Sequence, residues 1–373
     1  MKIDTNRLFK DLKTLRSFLL TNPSDSIFLS NLGDFQKLNT VFAALTGFDY
    51  DEAVFFSDKS RGMRVKSSNK KMISGFYNAY YENEDLFLSM IDNFDSALEK
   101  MEFMSLPFMD TLKKYSEKDA IDIMLSYYST YGDSVYKIVK KHFDENKIQN
   151  GLFHCEDFEG EYFESKYMRT GYISASSDKF NSKSMATIAH ELGHAVDREV
   201  FIFPQQKRLT LRDEIMLEVP SGFYELEFLE FLKKNHIDIT GANTLLNCIY
   251  NMIRDYSLTL EEVYSCDDAG ISKNGDLIIP VGDNKYEAVN LKQIVYYSVG
   301  YLFGLHLCES YEEDPKDFNK RFFNLLCSRK EKNVSESIED FGYNIDEFTS
   351  GSIILPRVES STLELKRRYN IKV

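Results

Sequence analysis

Apolar positions recur at helical spacing along most of the chain. Between Asn6 and Leu20, the residues Leu8, Leu12, Leu15 and Leu19 form the stripe of a helix that buries one face. The same period runs through Asp85 to Phe103 (Leu86, Met90, Phe94, Leu98) and through Ala120 to Phe143 (Ile123, Tyr127, Tyr131, Val135, Val139). Leu211 to Lys234 and Leu291 to Leu307 are two further helical segments. Alternating, β-prone segments are few: Gly171 to Ser177, and Asp276 to Gly282 after a turn at Asn274-Gly275. Pro280 lacks an N–H for a sheet ladder, which assigns the second of these to a sheet edge. The pattern predicts a mainly α protein with a small β-sheet. Helical periodicity stops between Asn146 and Gly151, separating an N-terminal helical region, 1–145, from the remainder, 146–373.

Composition narrows the function classes. The 373 residues are 43% hydrophobic, as in globular proteins. Forty-five Lys and Arg against 59 Asp and Glu leave a net charge of −14, the wrong sign for a nucleic-acid partner or an anionic membrane surface. No apolar run reaches the roughly 18 residues of a membrane span, and Met1 to Asn22 lacks the apolar core of a secretory signal. The five cysteines (Cys155, Cys248, Cys266, Cys308, Cys327) are widely spaced with no Cys-x-x-Cys pair, which suits free thiols in a reducing cytoplasm. Of only six histidines, His142, His154 and His236 stand in polar stretches and read as surface residues, and His306 reads as core.

The other two stand together. Thr187-Ile-Ala-His-Glu-Leu-Gly-His-Ala195 contains His-Glu-x-x-His as His190, Glu191 and His194. Positions i and i+4 of a helix share a face, so both imidazoles can bind one metal ion. Glu191 can then act as general base toward a water at that ion. Ser184 reads as the helix cap, and Met185, Ile188, Ala189, Leu192 and Val196 supply an apolar face. A catalytic zinc takes three protein ligands and keeps one position open. The metzincin continuation is excluded, because Asp197 and Val200 hold the places of its Gly and His. Asp213, Glu214 and Glu218 are the acidic choices for the third ligand, and spacing does not decide among them. Two His and one carboxylate make zinc the default metal.

The segment Glu218-Val-Pro-Ser-Gly-Phe-Tyr-Glu225 resembles the third-ligand segment of the thimet oligopeptidase and oligoendopeptidase F family of metallopeptidases, of which this chain would be a short member. That family carries Glu, then Pro-Ser or Ala-Ser, then a second Glu seven residues after the first. The resemblance implies that Glu218 joins His190 and His194 around one Zn²⁺. It implies a zincin-like helical fold with a deep substrate cleft and the small sheet beside the active site. Glu225 matches the second acid and would orient a ligating His, or else be a solvated acid like its neighbours Glu227 and Glu230. Gly171-Tyr-Ile-Ser-Ala-Ser-Ser177 is similar to the family's edge strand, which pairs with an extended peptide. This implies substrate contacts at Gly171, Ile173, Ser174 and Ala175. Ile294 to Gly304 is similar to the family's tyrosine-rich helix. There Tyr297 and Tyr301 match the phenols that hydrogen-bond the developing oxyanion, and Tyr296 reads as packing. Two positions depart from the family: Asp197 replaces a non-ligating His, and Leu291 stands where a His commonly assists the oxyanion.

The activity implied is that of a zinc-dependent oligopeptidase hydrolysing short unstructured peptides by a metal-activated water with Glu191 as general base. The expected partners are oligopeptides, not nucleic acid or membrane. The alternative is a catalytically weak or inactive relative that binds peptides or a protein; the retained Glu191 argues against it.

Overall fold

Leu8, Leu12, Leu15 and Leu19 lie on helix α1 (Thr5–Leu20), and all four are fully buried. Asp4 starts the helix: its side chain accepts from the backbone N–H groups of Asn6 and Arg7, which have no partner within the helix. Helix α2 (Asp25–Thr46) packs on α1 and adds Phe28, Leu32, Phe35, Leu38, Val41 and Phe42 to one core, completed by Phe163 and Tyr172. The Tyr172 hydroxyl enters that core with its partner supplied, donating to Asp11 Oδ2 at 2.7 Å.

The computed structural model describes residues 1–21, 25–47, 85–90, 93, 112–152, 160–175, 179–202, 216–264, 270–271, 277–282, 285–328, 333–352 and 355–368. The chain divides into two units, Met1–Ser68 with Lys113–Arg208, and Asn69–Leu112 with Leu209–Val373. Residues 145 and 146, where periodicity places a boundary, both lie in the first. Among the described residues the protein is mainly α-helical with two three-stranded sheets, the class that the sequence predicts. No helix among them is long and apolar enough to cross a membrane.

In the first unit, α3 (Glu117–Tyr128) and α4 (Asp133–Asp144) replace the single helix expected over Ala120 to Phe143. The backbone tightens into a 3₁₀ turn at Ser129–Tyr131, and Gly132 then takes φ 87°, a conformation that L side chains avoid. Three strands follow: β1 (Ile148–Asn150), β2 (Gly160–Ser165) and β3 (Thr170–Ala175). The order is β1-β3-β2, with β1 parallel and β2 antiparallel to β3. Helix α5 (Ser182–Val196) packs on β2 and β3 and continues as a π-helical turn, Asp197–Ile202.

His142 corrects the reading of a surface residue. It is fully buried, with Nδ1 3.0 Å from the Ile138 carbonyl and Nε2 3.3 Å from Glu199 Oε1. Burial pushes the imidazole down to about 4. His236 is exposed as expected, and His306 is buried, stacked on Phe348 at 4.0 Å. His154 lies outside the described residues, as do the Asn274-Gly275 turn and most of Asp85 to Phe103.

The second unit is built on α6 (Glu218–Lys234), α7 (Ile239–Tyr264) and α8 (Leu291–Glu313), which pack on one another. Between α7 and α8 run β4 (Gly270–Ile271), β5 (Leu277–Gly282) and β6 (Lys285–Val289). Pro280 is on the middle strand, β5, and not on an edge strand. Among the described residues β4 pairs with Leu277 and Ile278 and does not reach Pro280, so none of them on that side asks Pro280 for an N–H. Helices α9 (Pro315–Ser328), α10 (Val334–Phe341), α11 (Ile345–Thr349) and α12 (Leu355–Arg368) complete the unit. The basic run Lys366-Arg367-Arg368 closes α12.

Arg357 fastens α12. Its guanidinium is buried and meets Glu309 at 2.5 Å, Glu312 at 2.6 Å, Glu227 at 3.5 Å and Glu230 at 3.6 Å. Even so, burial pushes the Glu227 carboxyl up to about 7 from its ordinary 4.5. Across that window the folded chain keeps a proton that the unfolded chain has lost, so this group lowers stability as pH rises from about 4.5 to about 7. Arg357→Leu is expected to destabilise the protein by about 3–5 kcal/mol near neutral pH, because it strands buried carboxylates. The loss should shrink toward about pH 5, where the carboxyls can take up protons. Denaturant unfolding at the two pH values checks this, and an equal loss at both would refute it.

Candidate metal centre

Helix α5 is held at both ends before any ligand is considered. Asn181 Oδ1 accepts from the Ser184 N–H at 2.9 Å, and the Asn181 N–H donates to Ser184 Oγ at 3.0 Å. Ser184 is therefore the third-residue partner of a capping box, and Asn181 is the cap. At the other end, Arg198 of the π-helical turn pairs with Glu164 of β2 at 2.9 Å. Glu199 takes a hydrogen bond from Thr170 of β3 at 3.1 Å. In the middle, the buried Tyr128 hydroxyl donates to the Ala189 carbonyl at 2.8 Å, next to His190.

This frame presents His190 and His194 one turn apart, with ring centroids 5.0 Å apart and planes at 82°. His190 and Glu191 are 7% and 5% exposed, and His194 is half-buried. The sheet presses close to Glu191. A Cβ at Gly160 would stand 2.9 Å from Glu191 Oε1 and 2.7 Å from Thr187 Cγ2, so any larger residue there would force the Glu191 and Thr187 side chains to shift.

Glu218 is the first residue of α6, where the helix dipole favours a carboxylate. The Ser221 hydroxyl lies 2.8 Å from Glu218 Oε2 and 3.1 Å from the Glu218 carbonyl oxygen, within donating reach of both. Pro220 fits the first turn because an N–H there has no helical partner. Helix α8 crosses at the same place: a Cβ on Gly300 would stand 2.4 Å from Glu218 Cβ and 2.8 Å from its carbonyl. In the sequence, the roles of Gly160, Gly300, Tyr128 and Ser221 carry little local signal. Only the recurrence of glycine at Gly300 and Gly304 hinted at a close helix contact.

One ligand atom from each of His190, His194 and Glu218 lies within 4.8 Å of the other two. Among the described residues this is the one group of His, Cys, Asp and Glu so disposed. Two imidazoles and a carboxylate are the donor types of a zinc site with an open position, so the residues fit such an ion. Asp213 and Glu214 lie outside the described residues.

Glu225 is half-buried, and Tyr301 donates to its Oε2 at 2.5 Å, so it is neither a solvated acid nor a lone outward carboxylate. Burial, and then the Glu225 charge, push the Tyr301 phenol well above its ordinary range. Tyr297 is half-buried and stacks on Tyr301 with centroids 6.1 Å apart and on Tyr256 with centroids 6.2 Å apart. Tyr296 is half-buried on the same helix. Leu291 begins α8, and Asn290 caps it by accepting from the Gln293 N–H.

The strand with Gly171, Ile173, Ser174 and Ala175 corrects an expectation. β3 is the central strand of its sheet, not an edge. β2 pairs with all six of its residues, and β1 occupies the other side over Ile173, Ser174 and Ala175. The Ile173 N–H donates to the Lys147 carbonyl, and the Ala175 carbonyl accepts from Gly151. Those main-chain groups are taken and cannot add a peptide strand.

No protein-family model and no curated protein matches the chain. Solved structures do resemble it in fold. A provisionally named peptidase from Chlamydophila abortus superposes with a TM-score of 0.50 at 12% identity, over 96% of this chain and 63% of that one. A protein provisionally named oligoendopeptidase F from Bacillus anthracis gives 0.49 at 12% identity, over 95% of this chain and 66% of that one. PZ peptidase A, solved with an inhibitor, gives 0.46 at 11% identity, over 95% and 71%. The chain thus spans less than two thirds of the length of the first two. At such identities the likeness is one of fold.

Ser221→Ala is expected to weaken zinc binding by about 10–100-fold, since the carboxylate loses the group that orients it. The melting temperature of the metal-free protein should barely move. Competition with a chromophoric chelator measures the first and thermal unfolding the second; unchanged zinc affinity would refute the role.

Proposed function

We propose that the protein is a zinc-dependent endopeptidase acting on short, unstructured oligopeptides. The observation that carries this reading is the grouping of His190, His194 and Glu218, with Glu191 adjacent to His190 on the same helix. The likeness in fold to the Chlamydophila abortus structure named as a peptidase supports it at a coarser level.

A zinc ion held by His190, His194 and Glu218 would supply Lewis-acid polarisation of the scissile carbonyl and acidify a water. The remaining work belongs to the chain. Glu191 takes a proton from the attacking water and returns it to the leaving amine. Its low exposure keeps bulk water from competing for that proton. Gly160, having no side chain, leaves room for the Glu191 carboxylate. A phenol of α8 donates to the carbonyl oxygen as charge develops there, and Tyr297 and Tyr301 are the two candidates. Ser221 keeps Glu218 oriented.

One observation favours a second reading, a peptide-binding relative without turnover: Leu291 stands where a His would assist the oxyanion. Glu191 weighs against it, since burying a carboxylate is costly and a binder has no use for a base.

Glu191→Gln should abolish cleavage of a quenched fluorescent peptide while bound zinc, counted by mass spectrometry, stays the same. Wild-type cleavage should vanish with a chelator and return with added zinc. Full activity of Glu191→Gln would sink the mechanism, and zinc-bound wild-type protein without any cleavage would favour the binding reading.

A further inference from the structure

His142 of α4 and Glu199 of the π-helical turn after His194 are buried groups that the proposed hydrolysis does not use. Their contacts fix where protons can be. His142 Nδ1 lies 3.0 Å from the Ile138 carbonyl oxygen, which has no proton to give, so Nδ1 carries the hydrogen. Nε2 then faces Glu199 Oε1 at 3.3 Å and, among the described residues, meets no other hydrogen-bond partner. A bare Nε2 beside an ionised carboxylate would set two lone pairs against each other, away from water. Only a proton between Nε2 and Oε1 makes that contact a hydrogen bond.

The other neighbours satisfy the carboxylate without replacing that proton. Thr170 Oγ1 accepts from Lys147 at 2.5 Å and donates to Glu199 Oε1 at 3.1 Å. The Tyr162 hydroxyl of β2 stands 3.5 Å from Oε1, and Lys141 of α4 stands 3.9 Å from Oε2. The charges just beyond are engaged: Lys147 pairs with Glu145 at 2.9 Å, Arg7 of α1 with Glu145 at 2.6 Å, and Arg198 with Glu164 of β2 at 2.9 Å. α3 and the 3₁₀ turn also pack on α4, and there Tyr128 donates to the Ala189 carbonyl and Tyr131 to Tyr127. Burial pushes the Glu199 carboxyl up and the His142 imidazole down, and both shifts favour a neutral acid beside a neutral ring.

We propose that His142 and Glu199 hold one proton between them at neutral pH, forming a pH-sensitive latch that fastens the turn after His194 to α4. The inference does not rest on the peptidase reading. Loss of the proton at higher pH leaves two acceptors face to face and opens the latch. In the unfolded chain the two groups titrate near 4.5 and 6.5. Between those values the unfolded chain also carries one proton, on the histidine, so the pair leaves stability level. Above about 6.5 the unfolded chain gives that proton up while the folded pair keeps it, so stability falls as pH rises.

The test counts protons in the full chain, with every variant in the same metal state so that ligand protons cancel. Calorimetric unfolding at about pH 7.5, in buffers of different ionisation heat, gives the number released; wild type should release about one more than Glu199→Gln. In that variant the amide N–H donates to Nε2 and no acid proton is needed. His142→Gln, whose amide can donate to Glu199 instead, should show the same deficit and decides the matter if Glu199→Gln does not fold. Hydrogen exchange gives a local reading: protection of the Asp197–Ile202 amides should fall between about pH 7 and about pH 9 in wild type and hold in Glu199→Gln. Equal proton release from wild type and the variants would overturn the proposal. So would a turn whose protection in wild type follows that of Glu199→Gln at every pH.

Discussion

Helix α8 reaches α6 only because Gly300 has no side chain where Glu218 lies. The contact is between backbones, so it tolerates almost no adjustment: a Cβ there would overlap the Glu218 backbone as well as its side chain. Gly222 and Gly304 extend the same close approach along both helices. Three functional placements depend on it. Glu218 is set at the head of α6, Tyr301 follows Gly300 directly, and Glu225, two turns along α6, comes within hydrogen-bond reach of Tyr301. A carboxylate and a phenol proposed to serve one reaction are thus registered by a single backbone contact.

The second constraint is the cost of taking charge out of water. Each unit carries buried ionisable groups, and each answers with partners drawn from several elements. In the first, Glu199 is met by Thr170 and, at longer range, by Lys141, with the His142 ring beside it, which ties the π-helical turn after His194 to β3 and α4. In the second, Arg357 gathers carboxylates from α6 and α8. These clusters take no part in the proposed hydrolysis. They tie neighbouring elements together by directional contacts, which a hydrophobic contact alone does not supply.

What the sequence makes legible is what is written within a few residues. The leucine stripe of α1 is a one-face burial pattern, and His190, Glu191 and His194 encode their shared face within a single turn. Glu218 is legible through its local segment. The break at Ser129–Tyr131 is not, because Tyr127, Tyr131 and Val135 keep helical spacing across it and only Gly132 marks the turn. Alternation shows that Thr170–Ala175 is a strand but not which strands flank it, and three-residue β1 carries too little pattern to reveal itself. His142 looks solvated among Lys140, Lys141 and Asp144, yet it shares the buried face of α4 with Val139. Gly160, Tyr128, Ser221 and the Glu225–Tyr301 pair depend on contacts the chain makes only when folded.

Arg357 has a further consequence in the order of synthesis. Lys233 and Lys234 pair with Glu230 and Glu312 and are made alongside or before them, but Glu227 and Glu309 leave the ribosome well before Arg357, the cation that meets them both. Until Arg357 arrives, packing α6 on α8 would bury the Glu227 and Glu309 carboxyls without the cation that meets them, which disfavours early closure of the second unit. The first unit draws much of its core from α1 and α2 and has no such wait. Growth of the chain should therefore leave α6 and α8 open while the helix bearing His190 and His194 is already in place, so that nascent Glu218 stays available to solvent until α12 docks.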